Sequence, residues 1–130
     1  EQAFSTYADH LGIAFQLIDD LLDYTGSSAE MGKNVGDDLA EGKPTLPLIY
    51  TIQNGTQTQQ QLIQAAIRNG GLEHINEITD AVRECGALNY TRERANQEAD
   101  KAKRALNAIK DSPAKSALLA LADLAVNRSH

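Results

Sequence analysis

The chain has 130 residues, of which 42% are hydrophobic and 23% are charged, so it has enough apolar material for one modest core. Its net charge of -6 argues against a nucleic-acid partner, because proteins that read a phosphate backbone cluster Lys and Arg. No apolar run approaches the roughly 20 residues that span a bilayer, so we expect a soluble protein that is not membrane-spanning. Cys85 is the only cysteine, which excludes an internal disulfide and fits a reducing cytoplasm.

The first predicted element is a helix over residues 2–24. Apolar residues surround most of it, which predicts that it is buried among other helices. Glu1 is not a start methionine, and the helix begins without an N-terminal cap, so we expect that the sequence begins at a cut inside a helix. The apolar residues are Leu11, Ile13, Ala14, Leu17, Ile18, Leu21 and Leu22.

Polar side chains form a narrow stripe on this helix. At about 100° per residue, Gln16, Asp19, Asp20 and Asp23 fall on one side. Like charges one turn apart repel each other, and more strongly in a less polar environment, so the stripe favours a bound cation. Carboxylate oxygens without Cys or His suit Mg²⁺, which commonly binds through one or two carboxylates together with substrate phosphates. The stripe predicts a magnesium site for a phosphate or diphosphate, and the simpler alternative is a solvated acidic face.

A glycine-rich connection follows over residues 25–43, and we expect a short turn of helix inside it. It is too long to serve only as a connection. Lys33 and Lys43 lie beside glycines, and lysines near a magnesium–carboxylate cluster would help to neutralise a diphosphate. The glycine spacing, and Pro44 in place of Ser or Thr, exclude a P-loop nucleotide site. The alternative for Lys43 is a solvated side chain.

Helical periodicity continues to the end of the chain and no strand pair is indicated, so the predicted fold class is all-α. A helix is expected over residues 45–53. A capping box of Thr58 and Gln61 is expected to open the next helix. A further helix over residues 72–85 is expected to stop at Gly86.

The last two predicted helices are rich in alanine. The first is long and highly charged, and its inner face is expected to carry Ala95, Ala99, Ala102, Leu106 and Ile109. The second starts with Ser112 as N-cap and with Pro113 at the first helical position, where a missing N–H costs nothing. Its inner face is expected to carry Leu118, Leu121, Ala122 and Ala125.

Two ordered motifs resemble those of the trans-prenyl diphosphate synthase family. The second aspartate-rich motif of that family, FQxxDDxxD, matches residues 15–23, from Phe15 and Gln16 to Asp23. A downstream signature, GKxxGxDLxEGKxTLP, matches residues 32–47. The residues at these positions are most similar to those of bacterial octaprenyl diphosphate synthases.

The resemblance implies the isoprenoid synthase helical bundle, of which this chain would supply the C-terminal half. Residues 1–130 would then be the C-terminal part of a single all-helical domain. It implies a magnesium-dependent prenyltransferase that joins an allylic prenyl diphosphate, such as farnesyl diphosphate, to isopentenyl diphosphate. The product would be a long-chain, octaprenyl-like polyprenyl diphosphate for quinone side chains. The complete protein would be a homodimer.

The resemblance also implies roles for individual residues. Asp19 would be the principal metal ligand and act in catalysis, with Asp20 and Asp23 as further ligands of the metal. Lys33 would act in catalysis as well. The residues that bind the allylic diphosphate would be Gln16, Lys33 and Lys43.

Part of the family pattern is missing from the 130 residues. The first aspartate-rich motif and the basic residues for isopentenyl diphosphate are expected upstream, so this chain alone is predicted to be inactive. Part of the surface of the aspartate helix is also expected to stay open, because the helices that follow it are charged and rich in alanine. Two alternatives remain open: a terpene cyclase or noncatalytic subunit related to terpene synthases, and a helical metal-binding or scaffold module. A cyclase has no reason to keep both lysines, and a scaffold has no reason to bury Asp19 and Asp23.

Overall fold

The computed structural model describes residues 2–25, 35–37, 45–69 and 74–128. Within these ranges every regular element is helical, including residues 35–37, which confirms the all-α prediction. None of the described helices is long and apolar enough to cross a membrane. The longer helices are α1 (Gln2–Leu22), α2 (Leu46–Asn54), α3 (Gln57–Asn69), α4 (Ile75–Glu84), α5 (Ala87–Ala105) and α6 (Pro113–Asn127), with a 3₁₀ turn over Leu106–Ala108.

Two helix ends follow from local signals in the sequence. The hydroxyl of Ser112 accepts a 3.1 Å hydrogen bond from the backbone N–H of Lys115, and Pro113 opens α6. Gly86 separates α4 from α5 with φ of +84°, a left-handed conformation that favours glycine. Both predicted signals are confirmed.

The predicted capping box is wrong by two residues. The hydroxyl of Thr56 accepts a 3.2 Å hydrogen bond from the N–H of Gln59, and the Gln59 side chain accepts a 2.9 Å bond from the N–H of Thr56. Two overlapping Thr-x-x-Gln strings occur in this segment. The earlier one caps α3 because α2 ends at Asn54 and the extended Gly55 brings the chain directly to the next N-cap.

The chain divides into two compact units. The first unit comprises Glu1–Asp19 and Arg92–His130, and the second comprises Asp20–Thr91. The boundaries fall inside α1 and α5. Each unit therefore contains part of both helices.

The first unit packs α1, α5 and α6 around a small core. Ala102, Ala122 and Leu106 are fully buried there, and Tyr7 is buried beside them. The Tyr7 hydroxyl donates a 2.7 Å hydrogen bond to the carbonyl oxygen of Leu118, which satisfies the polar end of a buried ring. Burial raises the pKa of Tyr7 above its usual value.

A buried carboxylate joins α1 to α5 in the first unit. The side chain of Glu98 is only 4% exposed, and its oxygens lie 2.9 Å from Nδ1 of His10 and 3.1 Å from Nζ of Lys101. The hydrogen bond with His10, followed by the contact with Lys101, lowers the pKa of Glu98 despite the opposing effect of burial. This contact holds the middle of α1 against α5.

The second unit has a core of branched aliphatic side chains. Leu48 of α2, Ile63 of α3 and Ile78 of α4 have no exposed surface. Tyr24 packs in the same core just after α1 ends, and the guanidinium of Arg83 donates a 2.9 Å hydrogen bond to its carbonyl oxygen. The chain leaving α1 is thereby tied to α4.

The predicted inner face of α6 is partly wrong. Ala122 and Ala125 are buried as predicted, and Leu118 is half-buried, but Leu121 is 46% exposed. The side of α6 that meets α1 and α5 carries Ala122 and Leu118. Because α6 is apolar around most of its circumference, the spacing of its apolar residues does not decide which side meets its neighbours.

Candidate metal and diphosphate site

One half of α1 is exposed. At about 100° per residue, the exposed residues fill one side of the helix, and buried residues such as Ala14 and Ile18 fill the other. Ile13 is 45% exposed, which confirms the expectation that part of the surface of this helix stays open in the 130-residue chain. In the first unit, α5 and α6 pack against one side of it only. The exposed residues are Gln2, Phe4, Ser5, Ala8, Asp9, Gly12, Ile13, Phe15, Gln16 and Asp19.

Two predicted site residues, Gln16 and Asp19, lie on this exposed half of α1. The Asp19 side chain is 58% exposed, so its carboxylate is accessible to water and to a ligand. Asp19 is therefore not buried in this chain, and burial alone gives its carboxylate no need for a cation here. Asp20 by contrast is buried, with 8% of its surface exposed.

Asp23, the last predicted ligand, lies just beyond α1. The helix ends at Leu22, two residues earlier than predicted, and a turn follows in which the N–H of Tyr24 donates a 3.1 Å bond to the carbonyl of Leu21. Asp23 is half-buried in this turn. The three aspartates therefore differ in exposure, although their sequence spacing is regular.

The described part of the chain contains no group of three Asp, Glu, His or Cys side chains arranged to hold a metal ion. Mg²⁺ does not require such a group, because it commonly takes one or two carboxylates and completes its shell with water and substrate phosphates. An exposed carboxylate such as that of Asp19 fits this mode of binding, since hard oxygen donors suit Mg²⁺ and the remaining ligands can approach from solvent.

The second motif lies partly outside the described residues. Lys33 and Lys43, both predicted to face a diphosphate, are among the residues that the structure does not describe. The end of the motif opens α2, where Thr45 is the extended N-cap and Pro47 lies in the first turn. Thr45 and Pro47 are both buried, and a proline is compatible with the first turn of a helix, but the Thr45 hydroxyl makes no capping hydrogen bond.

Arg128, which sequence reasoning missed, contacts the aspartate helix. Its Nη2 donates a 2.9 Å hydrogen bond to the carbonyl oxygen of Phe15, and its guanidinium carbon lies 3.9 Å from the centre of the Phe15 ring. The same Nη2 is 3.8 Å from Oδ1 of Asp19. Periodicity cannot find this contact, because the partners are 113 residues apart in sequence. The available signal is a lone basic residue just after the last apolar helix.

Comparison with known proteins agrees with the two motifs. A family model described as polyprenyl synthetase matches residues 1–85. The octaprenyl diphosphate synthase of Escherichia coli is 50% identical over 129 residues, which cover 98% of this chain and 40% of that protein. An all-trans-nonaprenyl-diphosphate synthase of Rhodobacter capsulatus, described as specific for geranyl diphosphate, is 45% identical over 94% of this chain and 38% of its own length.

Solved structures show the same relationship. A polyprenyl synthase from Caulobacter crescentus, crystallised with calcium and isoprenyl diphosphate, is 38% identical and has a TM-score of 0.85 over 99% of this chain and 40% of that one. The chain thus spans about 40% of the length of the relatives that it matches. With a family model that covers residues 1–85, more than half of its length, the chain belongs to the polyprenyl synthetase family.

Proposed function

We propose that the complete protein condenses an allylic prenyl diphosphate, farnesyl diphosphate in the first cycle, with successive isopentenyl diphosphate units. The product is an all-trans polyprenyl diphosphate of about octaprenyl length that supplies quinone side chains. The present chain contributes the second magnesium–diphosphate site. The observation that carries this proposal is the 50% identity to the octaprenyl diphosphate synthase of Escherichia coli across 98% of the chain.

The residues of the chain bind and orient the allylic diphosphate. Asp19 would be the principal ligand of magnesium, and Asp20 and Asp23 would help to hold it directly or through water. Gln16 and Lys33 face the diphosphate, and Lys43 adds positive charge nearby. Magnesium, when bound, stabilises the negative charge of the departing diphosphate, which is the main energetic demand of the reaction. The exposure of Asp19 supports this assignment, because a bulky diphosphate can reach its carboxylate.

The reaction breaks one bond and forms another. The allylic carbon–oxygen bond breaks, and the diphosphate leaves with the electron pair. The double bond of isopentenyl diphosphate attacks the resulting carbocation, so that a carbon–carbon bond forms. A proton is then lost to the released diphosphate, and a new double bond closes the cycle. No side chain is required as general base in this scheme.

We also propose that the complete protein is a homodimer in the cytoplasm. A dimeric enzyme is what the family resemblance implies, and a single cysteine, Cys85, agrees with a reducing compartment. Size-exclusion chromatography with light scattering on the complete protein tests the assembly. A monomer at micromolar concentration would contradict this part of the proposal.

A direct assay tests the activity. The complete protein is incubated with Mg²⁺, farnesyl diphosphate and labelled isopentenyl diphosphate, and the products are dephosphorylated and separated by chain length. We expect a ladder that ends near the octaprenyl product and that disappears when a chelator removes Mg²⁺. Absence of any elongated product would favour the alternative of a noncatalytic subunit, and a cyclic product would favour a terpene cyclase.

A further inference from the structure

Asp19 faces a cation that belongs to the chain itself. Arg128, in the residue after α6, lies 3.8 Å from its carboxylate. A divalent metal ion at Asp19 would be attracted by the same negative charge. Two cations next to one carboxylate repel each other, so the guanidinium and the metal compete for Asp19.

The backbone and the ring of Phe15 hold the guanidinium in place. The hydrogen bond to the Phe15 carbonyl and the stacking on its ring keep the planar cation one turn before Asp19. The Arg128 side chain is 21% exposed, whereas that of Asp19 is 58% exposed. The cation is thus packed onto the helix, and the carboxylate remains accessible from solvent.

This arrangement can be displaced. At 3.8 Å the ion pair is loose, and it is weakened because the Asp19 carboxylate is 58% exposed to solvent. Nε of Arg128 is also buried and has no hydrogen-bond partner among the described residues, so the docked position leaves one donor unsatisfied. Release of the side chain would allow water to reach that donor.

We propose that Arg128 is a positioning residue that holds the Asp19 carboxylate until a divalent metal ion takes it, and that metal binding releases Arg128 from α1. This inference rests on the proposed function, because it takes Asp19 as a metal ligand. Metal binding at Asp19 would thereby change the position of Arg128 at the end of α6. The contact with the aspartate helix breaks when the metal arrives.

Metal affinity is the first test. Mn²⁺ alone, which accepts the same oxygen ligands, is titrated into the complete protein and free Mn²⁺ is followed by electron paramagnetic resonance. Arg128→Gln should raise the affinity by up to about fivefold, the factor expected from loss of a competing exposed ion pair. Arg128→Lys, which keeps the charge, should lie closer to the wild type.

Arg92 provides a matched control. Its Nη1 donates a 3.3 Å hydrogen bond to the carbonyl of Val126 at the end of α6, in the same unit as Arg128. Arg92→Gln therefore removes one positive charge and one contact with α6 but leaves Phe15 and Asp19 unchanged. It should not alter Mn²⁺ affinity. An equal rise in Arg92→Gln and Arg128→Gln would show a nonspecific charge effect and overturn the proposal.

Asp19→Asn separates this inference from the proposed function. If Asp19 is a ligand, Asp19→Asn weakens Mn²⁺ binding, and Arg128→Gln has no further effect in the Asp19→Asn background. If Asp19→Asn weakens binding but Arg128→Gln alone leaves it unchanged, the competition is overturned and the metal site stands. If Asp19→Asn leaves Mn²⁺ binding unchanged, the assignment of Asp19 in the proposed function fails.

Hydrogen exchange at Nε provides a readout of the release itself. In the docked position the buried Nε–H of Arg128 should exchange slowly with water in nuclear magnetic resonance spectra. Addition of Mg²⁺ with inorganic diphosphate should speed up this exchange, whereas the exposed Arg92 should exchange rapidly throughout. Slow exchange at Arg128 that persists at saturating metal would overturn the proposal.

Discussion

The two compact units differ in how completely they bury their apolar side chains. In the second unit, Leu48, Ile63 and Ile78 are fully buried in one aliphatic core. The first unit has an alanine-rich core and leaves large apolar side chains exposed. Five of the six large hydrophobic residues that are exposed in the described part of the chain belong to it: Phe4, Ile13, Phe15, Leu121 and Leu124.

This difference bears on function, because the exposed half of α1 carries Gln16 and Asp19 as well as Phe15. Exposed apolar patches on soluble proteins commonly mark a surface that another group covers. The chain spans about 40% of its relatives' length, and we propose that further residues of a complete protein cover this surface. We expect the stability of the second unit to be unaffected by residues that pack on this surface. The first unit is expected to depend on them.

The largest expected effect is on the chain by itself. The 130-residue chain, incubated with Mg²⁺, farnesyl diphosphate and isopentenyl diphosphate, should form no elongated product. With one half of α1 open to solvent, water would quench an allylic cation, and exclusion of water is one function of a closed site. Lipid extraction against a no-protein control is the measurement. Product above that control would show that the open face of the first unit needs no cover.

The next effect concerns one carboxylate on the open face. Asp19→Ala in the complete protein should lower kcat by at least about a hundredfold, the scale of one key electrostatic contact with developing charge. Asp9→Ala is a suitable control, since Asp9 is exposed on the same side of α1 but lies outside the motif. We expect Asp9→Ala to retain normal turnover. Normal turnover in Asp19→Ala would refute the assignment of this residue.

A pair of leucine truncations compares the two units directly. Leu48 in the second unit is fully buried, and Leu48→Ala should lower the free energy of unfolding by about 2–5 kcal/mol. Leu124 in the first unit is 66% exposed, and Leu124→Ala should change the free energy of unfolding by less than about 0.5 kcal/mol in the 130-residue chain. Urea unfolding followed by circular dichroism measures both. A larger loss for Leu124→Ala in the complete protein would show that its side chain is covered there.

Most of the helices could be predicted because their signals are local. Ser112 before Pro113 starts α6, and Gly86 with positive φ separates α4 from α5. The error in the capping box has a local cause as well, since two Thr-x-x-Gln strings overlap and only the end of α2 decides between them. Local signals of this kind specify where a helix begins, but they do not specify which side of it is covered.

The exposed sides of the helices and the Arg128 contact depend on long-range packing. The apolar spacing of α1 and α6 was compatible with several orientations, and the structure exposes Ile13 and Leu121. Arg128 reaches Phe15 across 113 residues, which no sequence period encodes. The role of the aspartates as oxygen ligands for a metal stays a prediction from residue type and helical spacing.

The smallest effect expected is a pH-dependent one, from two Glu–His pairs that differ in burial. Glu98 in the first unit is 4% exposed and lies 2.9 Å from His10, whereas Glu77 in the second unit is 65% exposed and lies 3.4 Å from His74. Glu98→Gln should lower the free energy of unfolding at pH 7 by about 1–3 kcal/mol, because it removes a charged acceptor from two hydrogen bonds. Glu77→Gln should have an effect below about 0.5 kcal/mol.

The pH dependence follows from the sign of the shift at Glu98. Its pKa in the folded chain is lowered from the ordinary 4.5, first by the hydrogen bond with His10, so the unfolded chain binds more protons than the folded one over that interval. The stabilisation is therefore complete above pH 4.5 and is lost as the pH falls through the lower, folded-state pKa. Urea unfolding of the wild type and Glu98→Gln from neutral to acid pH should show a constant difference that shrinks below this value. A difference that persists unchanged into strong acid would mean that the charge of Glu98 does not stabilise the contact between α1 and α5.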